Sequence, residues 1–332
     1  MRKVRADRLS AARLTLIGLL FVVAAACRDG ESPVERLVIP EGASLHAVSD
    51  TLAAHGVVRW PRLFRLYVRL QSADSDIKAG TYDLRRNAGW SQALDALVAG
   101  RVVTVAVTIP EGWTITQIAE RLAPVVGVSP DSLAAQLLNP TLAGSLGAPG
   151  PNLEGYLYPE TYRFAQGVSV RTVAAELLKR YQEVWTPERR AALDSISMDE
   201  REIVTLASIV QAEARWEDEM PLISAVFHNR LRRPMRLQAD PTVQYALDSH
   251  QTRLLFTHID SVADDPYNTY THDGLPPGPI GSPGLAAIDA ALHPASVPHL
   301  YFVAREDGHH EFSRTLREHN RTIQQIRRGN RK

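Results

Sequence analysis

The chain has 332 residues, of which 45% are hydrophobic and 22% charged, and its 37 Lys and Arg residues balance 37 Asp and Glu residues. This composition is typical of globular domains with hydrophobic cores, and it excludes a chain that is disordered throughout. Because the formal net charge is zero, nothing indicates nucleic acid as a partner. A neutral or mixed polymer is compatible with this balance.

Residues 1–27 are typical of a bacterial secretion signal. A basic segment precedes an apolar run from Leu14 to Ala26 that is short for a membrane span. The run ends in Ala-Ala-Ala-Cys27, which resembles a lipobox, where the cysteine is lipidated. Cys27 is the only cysteine, so it cannot form an internal disulfide. We expect a lipoprotein on the extracytoplasmic (periplasmic) side of the cell membrane, with Cys27 as the lipidation site. An uncleaved anchor is the alternative, and inner and outer membrane both stay open.

A strand-turn-helix segment occurs twice after a short linker, residues 28–34. Val38–Ser44 reads VIPEGAS, and Thr108–Thr114 reads TIPEGWT. In each copy a β-branched strand stops at Pro, turns at Gly, and a Ser or Thr caps an amphipathic helix. The first copy continues with a second helix and a second strand. These strand-helix-helix-strand units are similar to LysM modules, which hold glycan, and a purely structural role is the alternative.

The pattern predicts an α+β protein with three parts after the linker. They are an N-terminal α+β domain over residues 35–105, a LysM-like module over 106–150, and a mixed α+β catalytic domain over 151–332. The last part contains a stretch with little periodicity, from Pro234 to Pro283, rich in proline and aromatic residues. Because proline restricts the backbone, we expect these long loops to be ordered.

One carboxylate interrupts the apolar stripe of a predicted helix. Ser197–Glu200 reads as a capping box that opens this helix. Leu206, Ile209 and Val210 then recur at helical spacing, and the next inward position is Glu213. Burial would raise the pKa of its carboxyl group and keep it protonated near neutral pH, as a general acid requires.

The alternative for Glu213 is structural. It would then lie in the last helical turn, pair with Arg215 or Arg230, and have no further role.

Four segments together resemble the endolytic murein (peptidoglycan) transglycosylases of the MltG or YceG-like family, and the likeness runs from about Glu35 to Arg321. The segments are Leu206–Glu213, Arg236–Val243, Tyr267–Tyr270 and Gly274–Ile280. The resemblance implies an α+β fold with a LysM-like part, cleavage within peptidoglycan strands, and a catalytic glutamate at Glu213. Many members have Glu-x-Glu here, whereas this chain has Gln211-Ala212-Glu213. Helical spacing independently favours Glu213, because position 211 points elsewhere.

Further site residues are candidates for binding sugars or orienting Glu213. They are Asp240, Asn268, Tyr270, Glu311 and Glu154. Each also has a structural explanation, since Asp before Pro starts turns, Asn caps loops and Tyr packs in cores. Adjacent His309, His310 and Glu311 suggest a metal, but neighbours in a strand point to opposite faces. We expect neither a metal nor a cofactor.

The predicted chemistry needs one carboxyl group. In a lytic transglycosylase the muramic acid's own 6-hydroxyl attacks the anomeric carbon, so a single Glu can serve as acid and then base. The sequence thus predicts a membrane-tethered enzyme that cuts nascent glycan strands and ends their elongation, with peptidoglycan synthases as further partners. The alternatives are a non-catalytic peptidoglycan-binding scaffold and a lysozyme-like hydrolase using Glu213 and Asp240.

Overall fold

The computed structural model describes residues 32–247 and 251–329. The predicted signal peptide and Cys27 lie outside the described residues. The chain divides into two compact units, one ending at Val103 and the other beginning at Thr104. Both are mixed α+β, mostly helical with two-stranded sheets, as predicted for the fold class.

The described part of the first unit has the predicted strand-helix-helix-strand order, followed by one further helix. Its elements are β1 (Val34–Ile39), α1 (Leu45–Ala54), α2 (Pro61–Leu70), β2 (Gly80–Arg85) and α3 (Trp90–Ala99). The strands β1 and β2 are antiparallel, with Val34 opposite Arg85 and Ile39 opposite Gly80. One face of this small sheet packs against the helices, where Leu37, Phe64 and Tyr82 are buried.

The second unit contains most of the helices in the described ranges. Its elements are β3 (Thr104–Thr108), α4 (Ile115–Val126), α5 (Pro130–Leu137), α6 (Pro140–Leu146), β4 (Thr161–Ala165), α7 (Val170–Val184), α8 (Pro187–Ile196), α9 (Glu200–Glu213), α10 (Met220–Leu231), α11 (Asp240–Ala246), α12 (Phe256–Ser261), α13 (Leu285–Leu292), β5 (Tyr301–Ala304), β6 (His310–Ser313) and α14 (Leu316–Gly329). A 3-10 turn, Glu217–Glu219, joins α9 to α10.

Both copies of the repeated segment fold alike. The turn glycines Gly42 and Gly112 have φ of 72° and 75°, a backbone region that glycine enters without strain. Ser44 caps α1 through the backbone amide of Ala47, and Thr114 caps α4 in a full capping box. The repeat predicted from sequence is therefore confirmed as a strand-turn-helix unit.

The second copy is completed by a strand that the sequence pattern did not reveal. In the second unit β4 pairs antiparallel with β3, with Thr104 opposite Ala165. Residues on both sides of position 150, such as Ile118 and Leu177, lie in one hydrophobic core. A separate LysM-like module over residues 106–150 stays a prediction.

The start of α9 differs from the predicted capping box. Ser197, with φ of 58°, ends α8 in the left-handed region, and the N-cap of α9 is Asp199. The carboxylate of Asp199 accepts a hydrogen bond from the backbone amide of Glu202, and the carboxylate of Glu202 accepts one from the backbone amide of Asp199. The predicted box over Ser197–Glu200 was therefore wrong by two residues, because Asp caps a helix as well as Ser does.

An extended segment, Gly274–Gly284, lies along α9 and fixes it. Arg201 donates to the carbonyl of Pro277 near the start of the helix. Further along, the amide of Ile280 donates to Ser208 Oγ at 3.0 Å. This part of the predicted long loop is ordered by hydrogen bonds to a buried helix.

Within the described ranges, no helix is both long and apolar enough to span a bilayer.

Gly155 and Gly127 form a matched pair for testing the packing of the Gly274–Gly284 segment. Their φ values are 83° and 84°, but a Cβ at Gly155 would lie 2.3 Å from Pro279 Cβ, whereas nothing lies within 4 Å at Gly127. We expect Gly127→Ala to cost about 1 kcal/mol for the left-handed backbone alone. Gly155→Ala should cost about 3 kcal/mol, because the rigid Pro279 ring must also move. Calorimetric unfolding measures both, and equal losses would contradict the close packing.

Candidate active site

Glu213 is the last residue of α9, a helix whose residues from Ile203 to Val210 are all buried. Its side chain is partly buried. Burial and, to a smaller extent, the nearby charge of Asp240 together raise the pKa of the Glu213 carboxyl to about 8, although Arg230 and the backbone amide of Asp240 oppose the rise. The carboxyl end of a helix also disfavours a negative charge. A carboxyl group in this setting is protonated at neutral pH.

The structural alternative for Glu213, an ion pair with Arg215 or Arg230, is not present. Among residues 32–247 and 251–329, Glu213 forms no ion pair. The guanidinium of Arg230 donates instead to the carbonyls of Leu237 and Leu300. The Glu213 carboxylate instead accepts the backbone amide of Asp240.

Gln211 has different partners from Glu213. Its Oε1 accepts the amide of Gly284, the N-cap of α13, at 2.9 Å. The side chain of Gln211 also forms a hydrogen bond with Glu111. Burial and the charge of Glu217 raise the pKa of Glu111, although the bond to Gln211 opposes the rise. Position 211 thus belongs to the packing of α13, as its place on the helix suggested.

Asp240 and Tyr270, both predicted from sequence, lie beside Glu213. Asp240 opens α11 and is exposed, and the Tyr270 hydroxyl donates to its Oδ1 at 2.5 Å. The pKa of the Tyr270 hydroxyl is raised by burial and by the charges of Asp240 and Glu213. The three side chains form a cluster in which one carboxyl group is protonated beside an exposed carboxylate.

Thr269 holds the Tyr270 loop against the start of α11. Its hydroxyl accepts the amide of Ala239 at 3.0 Å and lies 2.9 Å from the hydroxyl of Thr242. All three residues are buried. Gln238, just before them, has φ of 49°, so the backbone that delivers Asp240 is strained. The sequence did not single out Thr269, although its place between two predicted site residues was a usable signal.

Asn268 shapes the same loop from inside. It is fully buried, and its Nδ2 donates to the carbonyls of Ile259 and Val262. Its Oδ1 accepts the amide of Tyr270 at 3.0 Å. A direct contact between Asn268 and a sugar stays a prediction, and these bonds support a positioning role.

Arg230 is a site residue that the sequence suggested only as an alternative partner of Glu213. It is 7% exposed, and burial lowers its pKa, against the effects of Tyr301, Tyr270 and Glu213. Its guanidinium lies 5.4 Å from the centre of the Tyr301 ring. The charge of Arg230 lowers the pKa of Glu213, but by less than burial and Asp240 raise it.

Glu154 is buried at the start of α4 rather than in an open groove. Its carboxylate accepts the amide of Ile115 at 3.1 Å and the Tyr245 hydroxyl at 3.2 Å. Burial raises its pKa to about 7, although these bonds oppose the rise. Because Tyr245 lies on α11, Glu154 connects that helix to the second repeat. Its predicted contact with substrate stays untested.

Glu311 and the two histidines beside it have separate partners. Glu311 on β6 is exposed and pairs with Arg305 at 3.2 Å. His309 and His310 both bond to Glu219, at 3.1 and 2.8 Å. Burial opposes ionisation of Glu219, but the bonds from the histidines outweigh it and lower its pKa. In the part of the chain that the structure describes, no group of three or more His, Cys, Asp or Glu side chains is suited to hold a metal. A sugar contact of Glu311 stays a prediction.

Trp216, three residues beyond Glu213, is an exposed aromatic residue that the sequence analysis did not select. It is 42% exposed and stacks on His309, with ring centres 5.2 Å apart and an angle of 12° between the planes. An extended chain of three residues spans about 10 Å, so Trp216 lies within that distance of the end of α9. A cavity of about 950 Å³ is found elsewhere, beside the first turn of α9.

Comparison with known proteins places the chain in a family. The model of the YceG-like family matches residues 37–325, which is most of the sequence. The chain belongs to the YceG-like family. It is similar to the endolytic murein transglycosylase of Bacillus subtilis, with 32% identity over 89% of this chain and 85% of that protein.

Two further relatives agree with this assignment. The endolytic murein transglycosylase of Streptococcus pneumoniae is 30% identical over 86% of this chain, but only 57% of the pneumococcal protein is covered. The crystal structure of a yceG-like protein from Listeria monocytogenes matches with a TM-score of 0.60 and 32% identity, covering 88% of this chain and all of that one. The fold of this chain is therefore a YceG-like fold.

The protonation of Glu213 should be visible in stability. Between the ordinary carboxyl pKa of 4.5 and about 8, the folded wild type keeps a proton that the unfolded chain releases, so its stability falls as pH rises. Glu213→Gln has no such proton. We therefore expect the stability of Glu213→Gln relative to wild type to rise by up to about 1.4 kcal/mol per pH unit in this window and to level off above it.

Urea unfolding at several pH values measures this difference. Glu120→Gln, which alters an exposed carboxylate on α4, is the control, and its stability relative to wild type should not change with pH. A flat profile for Glu213→Gln would contradict a raised pKa.

Proposed function

We propose that this protein is a lytic transglycosylase that cleaves bonds between N-acetylmuramic acid and N-acetylglucosamine within glycan strands. The observation that carries the proposal is the Glu213 carboxyl group, which burial and Asp240 keep protonated near neutral pH at the C-terminal end of a buried helix. The names of the YceG-like relatives, endolytic murein transglycosylases, support it.

Glu213 supplies both proton transfers in this mechanism. Its carboxyl group protonates the oxygen of the bond that breaks, and the leaving sugar departs with that proton. The resulting carboxylate then removes the proton from the 6-hydroxyl of the muramic acid, whose oxygen attacks the anomeric carbon. A 1,6-anhydro ring forms without water, and Glu213 ends in its starting protonated state. The attacking hydroxyl belongs to the same sugar, so proximity favours the reaction.

Asp240 provides negative charge next to the reacting sugar. In the transition state the anomeric carbon becomes positive, and an exposed carboxylate nearby stabilises it. The bond from Tyr270 orients Asp240. The same carboxylate could instead activate water, which is why a lysozyme-like hydrolase is the second candidate. The two mechanisms differ in their products.

Trp216 and the strand-helix repeats are proposed contacts for the glycan. The part of the Trp216 indole that stays exposed beside His309 is a proposed contact for a pyranose ring. The repeats support a LysM-like role, in which they bind the glycan strand at a point distant from the bond that breaks. Asn268, Glu154 and Glu311 are proposed as supporting residues of the site.

The proposed location rests on the sequence alone. Residues 1–27 support secretion and tethering to the cell membrane through Cys27, with the enzyme on the extracytoplasmic side. There it would meet nascent strands, end their elongation, and work near peptidoglycan synthases.

Product analysis tests the proposal. Purified sacculi or nascent strands are digested with the full chain, and the fragments are identified by mass spectrometry. We expect 1,6-anhydro ends from the wild type and a loss of at least about a thousandfold in rate with Glu213→Gln, which cannot donate a proton. Glu217→Gln should retain the wild-type rate.

Each other outcome has a clear meaning. Reducing ends in place of anhydro ends would show a hydrolase. Intact strands with retained binding would show a scaffold. An active Glu213→Gln variant would refute the assignment of the acid.

The pH dependence of activity tests the role of Asp240. Because the acid must be protonated, kcat/KM should fall as pH rises through about 8. The charge of Asp240 raises the pKa of Glu213, so Asp240→Asn should move this fall to lower pH. Asp273→Asn, an exposed carboxylate paired with Arg236, should leave it in place. If Asp240→Asn is too slow to assay, NMR titration of Glu213 gives the same shift, and an unchanged pKa would contradict the coupling.

A further inference from the structure

The second helix of the first unit exposes an apolar stripe that the rest of that unit leaves uncovered. Trp60 is 60% exposed, Leu63 51%, Leu66 55% and Leu70 75%. The spacing of Leu63, Leu66 and Leu70 places these leucines along one side of α2, and Trp60 lies just before the first residue of the helix. The opposite side of the helix carries Phe64 and Val68, both fully buried.

Arginines surround this stripe. The residues of α2 include no acid, and Arg59, Arg62 and Arg69 are exposed. Arg65 binds Ser49 and Asp50 on α1. The other three arginines form no ion pair with any residue in the described ranges. We name the docking face as Arg59, Trp60, Arg62, Leu63, Leu66, Arg69 and Leu70.

The chemistry of the docking face fits a lipid surface with anionic headgroups. An amphipathic helix with Leu and Trp on one side and Arg beside them lies in the interface of a bilayer, with its apolar residues among the acyl chains. Unpaired arginines add attraction to anionic headgroups. A glycan would present hydroxyl groups to the leucines, so the leucine side chains would stay hydrated. The face belongs to the same unit as β1, which begins at Val34, eight residues along the sequence from the end of the apolar run Leu14–Ala26.

We propose that α2 binds the surface of an anionic bilayer through the docking face. The folded first unit then provides a membrane contact of its own, in addition to any lipid or anchor at the N-terminus. Two weak attachments together hold a protein on a membrane far better than one. The proposal depends neither on the chemistry of Glu213 nor on the fate of Cys27.

Spin-label depth measurements on the full chain test this. Cys27→Ser with Leu66→Cys gives one labelling site on the docking face, and Cys27→Ser with Gln92→Cys gives a control site that is exposed on α3. Each protein is added to phosphatidylcholine vesicles with and without phosphatidylglycerol. We expect the label at position 66 to become accessible to oxygen and shielded from a water-soluble nickel chelate only with phosphatidylglycerol. The label at position 92 should stay accessible to the chelate.

Charge reversal separates the docking face from general electrostatics. Arg62→Glu with Arg69→Glu should lower the immersed fraction of the label at 66 by about tenfold or more. Arg85→Glu with Arg101→Glu changes the net charge equally at exposed positions outside α2 and should have little effect. High salt should release the label in the same way.

Two results would overturn the proposal. One is a label at 66 that stays in water while the protein is bound to both kinds of vesicle. The other is a label that is shielded equally without lipid, which would show that a second copy of the chain or another protein covers the face.

Discussion

The candidate site depends on one desolvated carboxyl group at the end of a buried helix. The helix α9 is enclosed along most of its length, so Glu213 meets protein on several sides. Burial and Asp240 raise its pKa more than Arg230 and a backbone amide lower it. Other parts of the second unit fix the positions of the groups that set this pKa. The Gly274–Gly284 segment fixes the helix, and Thr269 with Asn268 fixes the loop that carries Tyr270 to Asp240.

The four residues of Tyr267–Tyr270 divide the work between structure and site. Asn268 and Thr269 are buried and make hydrogen bonds that shape the loop, while Tyr270 reaches Asp240. The ring of Tyr267 lies 4.8 Å from that of Tyr245, whose hydroxyl bonds to Glu154. A motif that is recognisable in sequence thus contains mostly supporting residues. The residue types of this motif reflect the folding of the loop as much as contact with a substrate.

Local patterns predicted much of the fold and the central residue of the site. The helical period of α9 indicated Glu213, and the repeated strand-turn-helix segment gave both caps and both turn glycines. The start of α9 was misplaced because Ser197 and Asp199 are both competent caps, and only the backbone shows which is used. The pairing of β4 with β3, the burial of Asn268 and the position of Arg230 depend on contacts between distant residues. No local period or spacing encodes such contacts.

The two copies of the repeat have been put to different uses. Around Gly42 the turn faces open space, since a Cβ there would meet nothing within 4 Å. Around Gly112 the same turn is hydrogen-bonded to the Gly274–Gly284 segment, because the amide of Gly112 donates to the carbonyl of Ser282 and the amide of Ser282 donates to the carbonyl of Trp113. The second turn is therefore bonded into the packing of the second unit, whereas a side chain at Gly42 would meet no neighbour. An insertion in the second turn would break its two hydrogen bonds to Ser282, beside Gln211, and so loosen the Gly274–Gly284 segment that lies along α9.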